Sequence, residues 1–214
     1  MDNNELITAN KNQTTSETDT FTAERYRLFY RHASQSGKNI NKILDFGCNT
    51  GRGGCILRQE NSDIYLIGAD IVQERLREIP NNIYDRIIDL STNGLDDVDN
   101  VDAILSGEVV EHIPFLQFID YMKSFSRILN KGGLILLTTP NPDSFLVKMG
   151  RNSVLTDASH VNIMDRDFLK TILLKTGFED IEIYGSGKAT RIFGERFPMF
   201  NIYGSYLIVA KNRM

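Results

Sequence analysis

From residue 42 onward, short apolar runs alternate with amphipathic stretches, the pattern of a parallel sheet assembled from strand-helix-strand units. Strands are predicted over residues 42–46, 64–69, 84–88, 101–106 and 133–139. Most of them are apolar at nearly every position, so they belong in a sheet covered by helices on both faces. Helices are predicted over 56–59, 72–78 and 115–129, the last with Phe115, Ile119, Met122, Phe125 and Leu129 as its core-facing stripe. After Pro140 and Pro142 comes a helix over 165–176, carrying Phe168, Leu169, Ile172 and Leu173 and stopped by Gly177. Two further strands follow over 181–184 and 205–210, with a long connection expected to double back as an antiparallel edge. Ahead of the sheet, TAERYRLFYRH (22–32) predicts a helix over its opening, either a ligand-touching lid or a packed cover with a solvated basic face. Residues 1–20 are polar, without a positive n-region or an apolar h-region, and are expected to be frayed. That leaves 21–214 as one α/β domain.

Composition narrows the function classes. At 214 residues a chain can bury roughly 70% of its unfolded surface, so no disulfide or metal staple is needed. With 41% hydrophobic and 24% charged residues it matches ordinary globular proteins. Its longest apolar runs, such as GGLILL, are far shorter than the roughly 20 residues of a membrane span. A net charge of −4 gives no global attraction to polyanions, so nucleic acid is not an expected partner. Cys48 and Cys55 are the only cysteines, with no zinc-finger spacing, which fits a reduced, cytoplasmic protein.

The chemistry begins at KILDFGCNTGRGG (42–54), where an apolar strand runs into Gly47, Gly51, Gly53 and Gly54. Glycines there permit positive φ and let backbone approach a ligand, and the following helix offers free N–H groups. The spacing departs from the GxGxxG fingerprint that holds a pyrophosphate. Asp45, just before Gly47, repels phosphate and suits an ammonium or sulfonium group. Asp70 ends IYLIGAD, at a strand tip where a carboxylate accepts both ribose hydroxyls. Asp89 ends the next strand in RIIDL, either to accept from an adenine amino group or to cap its own loop.

These segments together resemble the class I S-adenosylmethionine (SAM)-dependent methyltransferases, in particular the small-molecule, ubiquinone-biosynthesis-like O-methyltransferases, from about Lys42 to Lys211. ILDFGCNTG is similar to the family's first motif, with Asn49 where many members have glycine; Asn tolerates left-handed backbone. GAD and IIDL resemble the ribose and adenine positions, and VDAILSGEVVEHI and KGGLILLTTPN the fourth and fifth strand motifs. The resemblance implies a cofactor-binding set of Asp45, Gly47, Cys48, Asn49 and Gly51 in the loop. Asp70 with Ile71 would serve the ribose, Asp89 with Leu90 the adenine, and Ser106 and Gly107 the methionine part. It also implies a doubly wound, mostly parallel seven-stranded Rossmann-like sheet with an antiparallel last strand in GSYLIVAKN.

GEVVEHIP (107–114) gathers Glu108, Glu111 and His112 just past a strand's carboxyl end, where α/β enzymes keep their ligands. One helical turn would aim all three the same way, an oxygen and nitrogen set suited to a divalent ion. The pattern resembles ubiquinone-pathway catechol O-methyltransferases and small-RNA 2'-O-methyltransferases, whose ion is held by such residues. His160 lies where the RNA group has a further ligand histidine. In metal-free members His112 orients substrate or acts as the base, titrating near neutrality, and Glu111 pairs with it or caps a helix. His112 and Glu111 are therefore the catalytic candidates, and Glu108, Glu111, His112 and His160 the metal candidates.

The resemblance implies methyl transfer from SAM to oxygen, with nitrogen or carbon as alternatives, on a small-molecule or glycan-like acceptor. Other readings are a cofactor-binding partner or regulator without chemistry and a metal-dependent RNA 2'-O-methyltransferase. A nicotinamide-dependent oxidoreductase needs the phosphate fingerprint that this loop lacks. Phe193, Phe197, Met199 and Phe200 form either an acceptor wall or part of the core.

Overall fold

The apolar runs pair into one sheet. In the computed structural model, which describes Thr8, residues 19–150 and residues 157–214, the strands are β1 (Lys42–Phe46), β2 (Tyr65–Asp70), β3 (Arg86–Asp89), β4 (Val101–Gly107), β5 (Leu129–Pro140), β6 (Phe178–Ser186) and β7 (Ser205–Asn212). Among the described residues their order is β3-β2-β1-β4-β5-β7-β6. The pairs from β3 through β5 are parallel, and β7 runs antiparallel to both β5 and β6. The chain builds outward from β1 to β3 and then returns to β4, so the order reverses between β1 and β4. That switch point is where open α/β sheets form a ligand crevice at their carboxyl ends.

Successive β1 residues feed opposite faces, as the two-residue strand period requires. Leu44 and Phe46 join a core containing Phe118, Met122 and Phe125 of α4 (Phe115–Ile128) and Leu169 and Leu173 of α6 (Arg166–Lys175). Ile43 joins the other, with Tyr26 and Phe29 of α1 (Asp19–Gln35), Leu57 of α2 (Arg52–Glu60) and Leu76 of α3 (Gln73–Arg77). The helix expected at 22–32 is thus a packed cover. Two short helices, α5 (Phe145–Lys148) and α7 (Thr190–Phe193), complete the set numbered here. The edge strand β6 exposes Glu179 and Asp180, charges that discourage pairing with another chain.

Three expectations change. The α4 stripe holds at Met122, Phe125 and Leu129, with Ile119 partly buried against the same core, but Phe115 is 38% exposed and Phe118 and Ile128 join the buried face. Apolar residues occupy several faces of this helix, so spacing alone left the contact face ambiguous. The connection 187–204 is not an antiparallel edge; it forms α7 and a 3-10 turn at Phe200–Ile202. The edge is β6, because β7 inserts between it and β5. Strand β5 begins at Leu129, taking in the end of the predicted helix, with a register irregularity against β4 between Val101 and Ala103. The fraying expected for residues 1–20 lies outside the described residues, apart from Thr8 and the start of α1 at Asp19. Among the described residues, no helix is long and apolar enough to cross a membrane.

Candidate active site

At the carboxyl end of β1 the chain turns through Gly47 (φ 79°), Asn49 (φ 50°) and Gly51 (φ 83°) before entering α2. The Gly47 and Cys48 N–H groups donate to the Ala69 carbonyl at 2.7 and 3.0 Å, fastening the loop to β2. Asp70 is 6% exposed; its Oδ2 accepts from the Asn49 N–H at 2.8 Å and its Oδ1 from the Val72 N–H at 2.9 Å. Burial raises its pKa, and those N–H donors oppose the rise. Asp70 therefore shapes the loop itself, a role its position in the sequence did not reveal. Asp89 lies beside it in register, with Oδ1 accepting from the Ser91 N–H at 2.9 Å and hydroxyl at 2.5 Å, so it caps its own turn. Ile71 and Leu90 follow the two acids, and the Leu90 N–H donates to the Asp70 carbonyl at 2.9 Å. Cys48 is buried, and burial first, then the charges of Asp45 and Asp70, push its thiol well up. It is an inert wall residue.

Whether this loop suits SAM is tested by two polar atoms. Asn49 Oδ1 and Ser106 Oγ are buried and make no hydrogen bond among the described residues. Leaving such a group unsatisfied costs about 1–3 kcal/mol, and both belong to the positions expected to face the cofactor. A polar ligand in the crevice would satisfy them, so the residues present fit SAM.

The glycines divide into two kinds. A Cβ on Gly47 would lie 2.3 Å from Val109 Cγ2, so Gly47 permits close contact between the loop and the turn after β4. Gly53 and Gly54 instead make room for rings: a Cβ would lie 2.1 Å from Tyr26 Cζ and 2.4 Å from Tyr84 Cζ. Those tyrosines point at Asp45, which has no exposed surface. Tyr26 donates to Oδ1 at 2.6 Å and Tyr84 to Oδ2 at 2.5 Å. The carboxylate expected to face an ammonium or sulfonium group is thus hydrogen-bonded through both oxygens by tyrosines. No spacing rule links residues 26, 45 and 84.

Past β4 the backbone turns sharply at Glu108 (φ 56°), whose N–H donates to the Thr138 carbonyl at 3.0 Å. The 3-10 turn Val110–His112 follows. It gives the two acids that helical spacing would have aligned different hydrogen-bond partners, although the Glu108 charge still acts on Glu111. Glu108 turns to Ser205, whose hydroxyl donates to Oε2 at 3.3 Å, and toward Arg25, with Nη2 4.0 Å from Oε1. Arg25 also lies against Gly107, where a Cβ would meet its Cδ at 2.8 Å. Glu111 is fully buried; Oε2 accepts from Thr139 Oγ1 at 3.3 Å, and Oε1 makes no hydrogen bond among the described residues. Burial, reinforced by the Glu108 charge, pushes its pKa well up.

His112 Nδ1 lies 3.1 Å from the Ser159 carbonyl. A carbonyl only accepts, so Nδ1 carries the proton. Burial lowers the His112 pKa to about 4, below the near-neutral titration expected for it, so the ring is neutral at pH 7 and Nε2 holds a lone pair. That Nε2 is 3.9 Å from Glu111 Oε1, and the centroid of the tilted His160 ring lies 4.8 Å from that of His112. Glu111, His112 and His160 each offer one ligand atom within 4.8 Å of the others. Of the four metal candidates, Glu108 is the one outside this group. The segment carrying His160 is held by the Asn162 N–H donating to the Glu111 carbonyl at 3.0 Å.

Comparison with known proteins agrees with this geometry. A family model described as a methyltransferase domain matches residues 19–183. Two probable S-adenosylmethionine-dependent methyltransferases of Mycobacterium tuberculosis are 25% identical over 151 residues, covering 67% of this chain and 50% of theirs. The chain thus spans about half the length of the curated relatives it matches. A SAM-dependent methyltransferase from Archaeoglobus fulgidus has a similar fold, with TM-score 0.67 and 20% identity over 89% of this chain and 94% of that one. The plantazolicin methyltransferase BpumL, in complex with a desmethylPZN analog and SAH, gives TM-score 0.66 and 18% identity over 99% and 91%. Because the family match runs from the covering helix through the glycine loop and the EVVEH turn into β6, the chain belongs to the class I SAM-dependent methyltransferases.

Proposed function

We propose that this domain transfers the methyl group of SAM to an oxygen of a small-molecule or glycan-like acceptor. The cofactor, when bound, supplies the methyl group on a sulfonium. The observation that carries the oxygen assignment is the His112 tautomer: Nδ1 donates to the Ser159 carbonyl, so the lone pair is on Nε2, 3.9 Å from buried Glu111 Oε1. A hydroxyl acceptor hydrogen-bonds through its proton to that nitrogen, which orients its oxygen and receives the proton as the bond to carbon forms. Aligning acceptor and donor and excluding water contributes up to roughly 7–11 kcal/mol. Incubating the chain with SAM and a panel of phenols, alcohols and sugars, with S-adenosylhomocysteine (SAH) release as the readout, tests this directly. Turnover with amines alone would count against oxygen.

The Glu111, His112 and His160 cluster supports a second reading in which a divalent cation sits there. The donor set is one carboxylate and two imidazoles, Glu111 Oε1 has no hydrogen bond among the described residues, and the Ser159 carbonyl fixes the His112 ring as an outer partner fixes a ligand histidine. Such an ion would supply Lewis-acid polarisation of the acceptor oxygen. If it binds, Mg²⁺ or Mn²⁺ added to the chelated chain raises its melting temperature, by about 2.7 kcal/mol of stability at a hundredfold excess over Kd. The rise should vanish in Glu111→Gln and His160→Ala. No shift in the wild-type chain removes this reading and leaves the metal-free pair.

Cofactor binding has its own test at Asp70. Asp70→Ala is expected to weaken SAH affinity by about 1.5–3 kcal/mol, the scale of hydrogen bonds to a charged group. It should also lower the melting temperature, since the Asn49 and Val72 N–H groups lose their acceptor. Calorimetry showing wild-type affinity would withdraw the ribose assignment.

A further inference from the structure

Two tyrosines from distant parts of the chain meet on one buried carboxylate beneath the glycine loop. Tyr26 comes from α1, and Tyr84 from the segment between α3 and β3. Asp45 lies between them in β1, paired in register with Gly68 and Leu105. Tyr84 crosses the sheet over Gly68, where a Cβ would meet its ring at 2.9 Å. Its hydroxyl donates to Asp45 and accepts from the Gly54 N–H at 3.2 Å. One hydroxyl thus bridges the β1 carboxylate and the first turn of α2, the two ends of the loop.

Packing alone gives no reason for a charge here. The same face carries an apolar core with Ile43, Leu66 and Leu105, and burying a carboxylate is costly unless hydrogen bonds replace its water. Isosteric apolar residues are often as stable as a buried charged network, so the group is best accounted for by what it orients. Tyr84 remains a donor: burial, with the Asp45 charge, pushes its hydroxyl well above its usual range. Tyr26 also adjoins Arg25, whose side chain lies against Gly107 and reaches toward Glu108. The contact that holds Tyr26 on the loop therefore sets Arg25 at the end of β4.

We infer that Tyr26, Asp45 and Tyr84 are positioning residues for the methyl donor: their hydrogen-bonded chain fixes the curvature of the glycine loop and holds α1 against it before ligand binds. This rests on the reading above that the loop binds SAM. In place of contact between Asp45 and the cofactor, the carboxylate acts through the backbone that does touch it.

Tyr26→Phe and Tyr84→Phe keep each ring in the space the glycines leave and remove only the hydroxyl, so they separate orientation from packing. On the full chain, each is expected to weaken SAH binding about tenfold by calorimetry, the scale of one hydrogen bond to a charged group. In turnover, KM for SAM should rise more than kcat falls. Asp45→Asn combined with either phenylalanine should add little, because the three act as one unit. Should one variant fail to fold, the other carries the test. Phenylalanine variants with wild-type SAH affinity, whatever their melting temperatures, overturn the inference and leave the tyrosines structural. A wild-type chain that binds no SAH overturns the cofactor reading as well, which distinguishes the two failures.

Discussion

His112→Ala is expected to lower SAH release by roughly 10²- to 10⁴-fold, the usual contribution of a positioned proton acceptor, with SAH affinity unchanged. The split follows from geometry: His112 sits on the turn after β4 beside Glu111 and His160, whereas the glycine loop proposed to hold the cofactor is fastened through Gly47, Cys48 and Asp70 to β2. The pH profile carries a second signature. Burial lowers the His112 pKa from 6.5 to about 4, so the neutral ring persists through mildly acidic conditions and its limb should fall only as pH drops toward about 4. Between 6.5 and about 4 the unfolded chain binds a proton that the folded site refuses. Stability therefore declines as the pH falls through that window. A fully active His112→Ala chain would make the residue structural.

Gly47→Ala should damage stability and turnover together. Its φ of 79° costs a side-chain-bearing residue about 1–2 kcal/mol. The new Cβ would also lie 2.3 Å from Val109 Cγ2 and 2.9 Å from Cγ1, an overpacking that adds about 1–3 kcal/mol. Because Val109 lies between Glu108 and the turn carrying Glu111 and His112, relieving the clash displaces both halves of the site, and turnover should fall together with stability. Gly37→Ala is the control, with φ 77° and nothing within 4 Å of the added atom; only the conformational cost remains. Urea unfolding of the two variants measures the difference, and equal losses would show that the Val109 contact yields easily.

The sequence pattern alone determined the succession of strands and that helices cover both faces of their sheet. Apolar runs such as KILDF and VDAILSG are buried almost throughout, and only a parallel sheet covered on both faces can use such strands. Strand ends carrying Asp70 and Ser106–Gly107 were readable for the same reason, since a parallel strand's carboxyl end opens on the crevice. His160, 48 residues beyond His112, was assigned through family resemblance, and its meeting with Glu111 and His112 depends on the Asn162 and Ser159 backbone contacts.

Tertiary structure decided the direction of each polar side chain. Helical spacing aligned Glu108 with Glu111 and His112, but the left-handed turn at Glu108 and the tight 3-10 turn after it send Glu108 to Arg25 and Ser205. Asp45 looked available to a cation until two tyrosines, 19 residues before it and 39 after it, closed over it. Gly53 and Gly54 looked like ligand-facing backbone and proved to be space for those rings. Local pattern fixes which face of a strand a residue occupies. Which partner reaches a buried polar atom depends on the packing of distant segments, where desolvation makes an unpaired group too costly to leave.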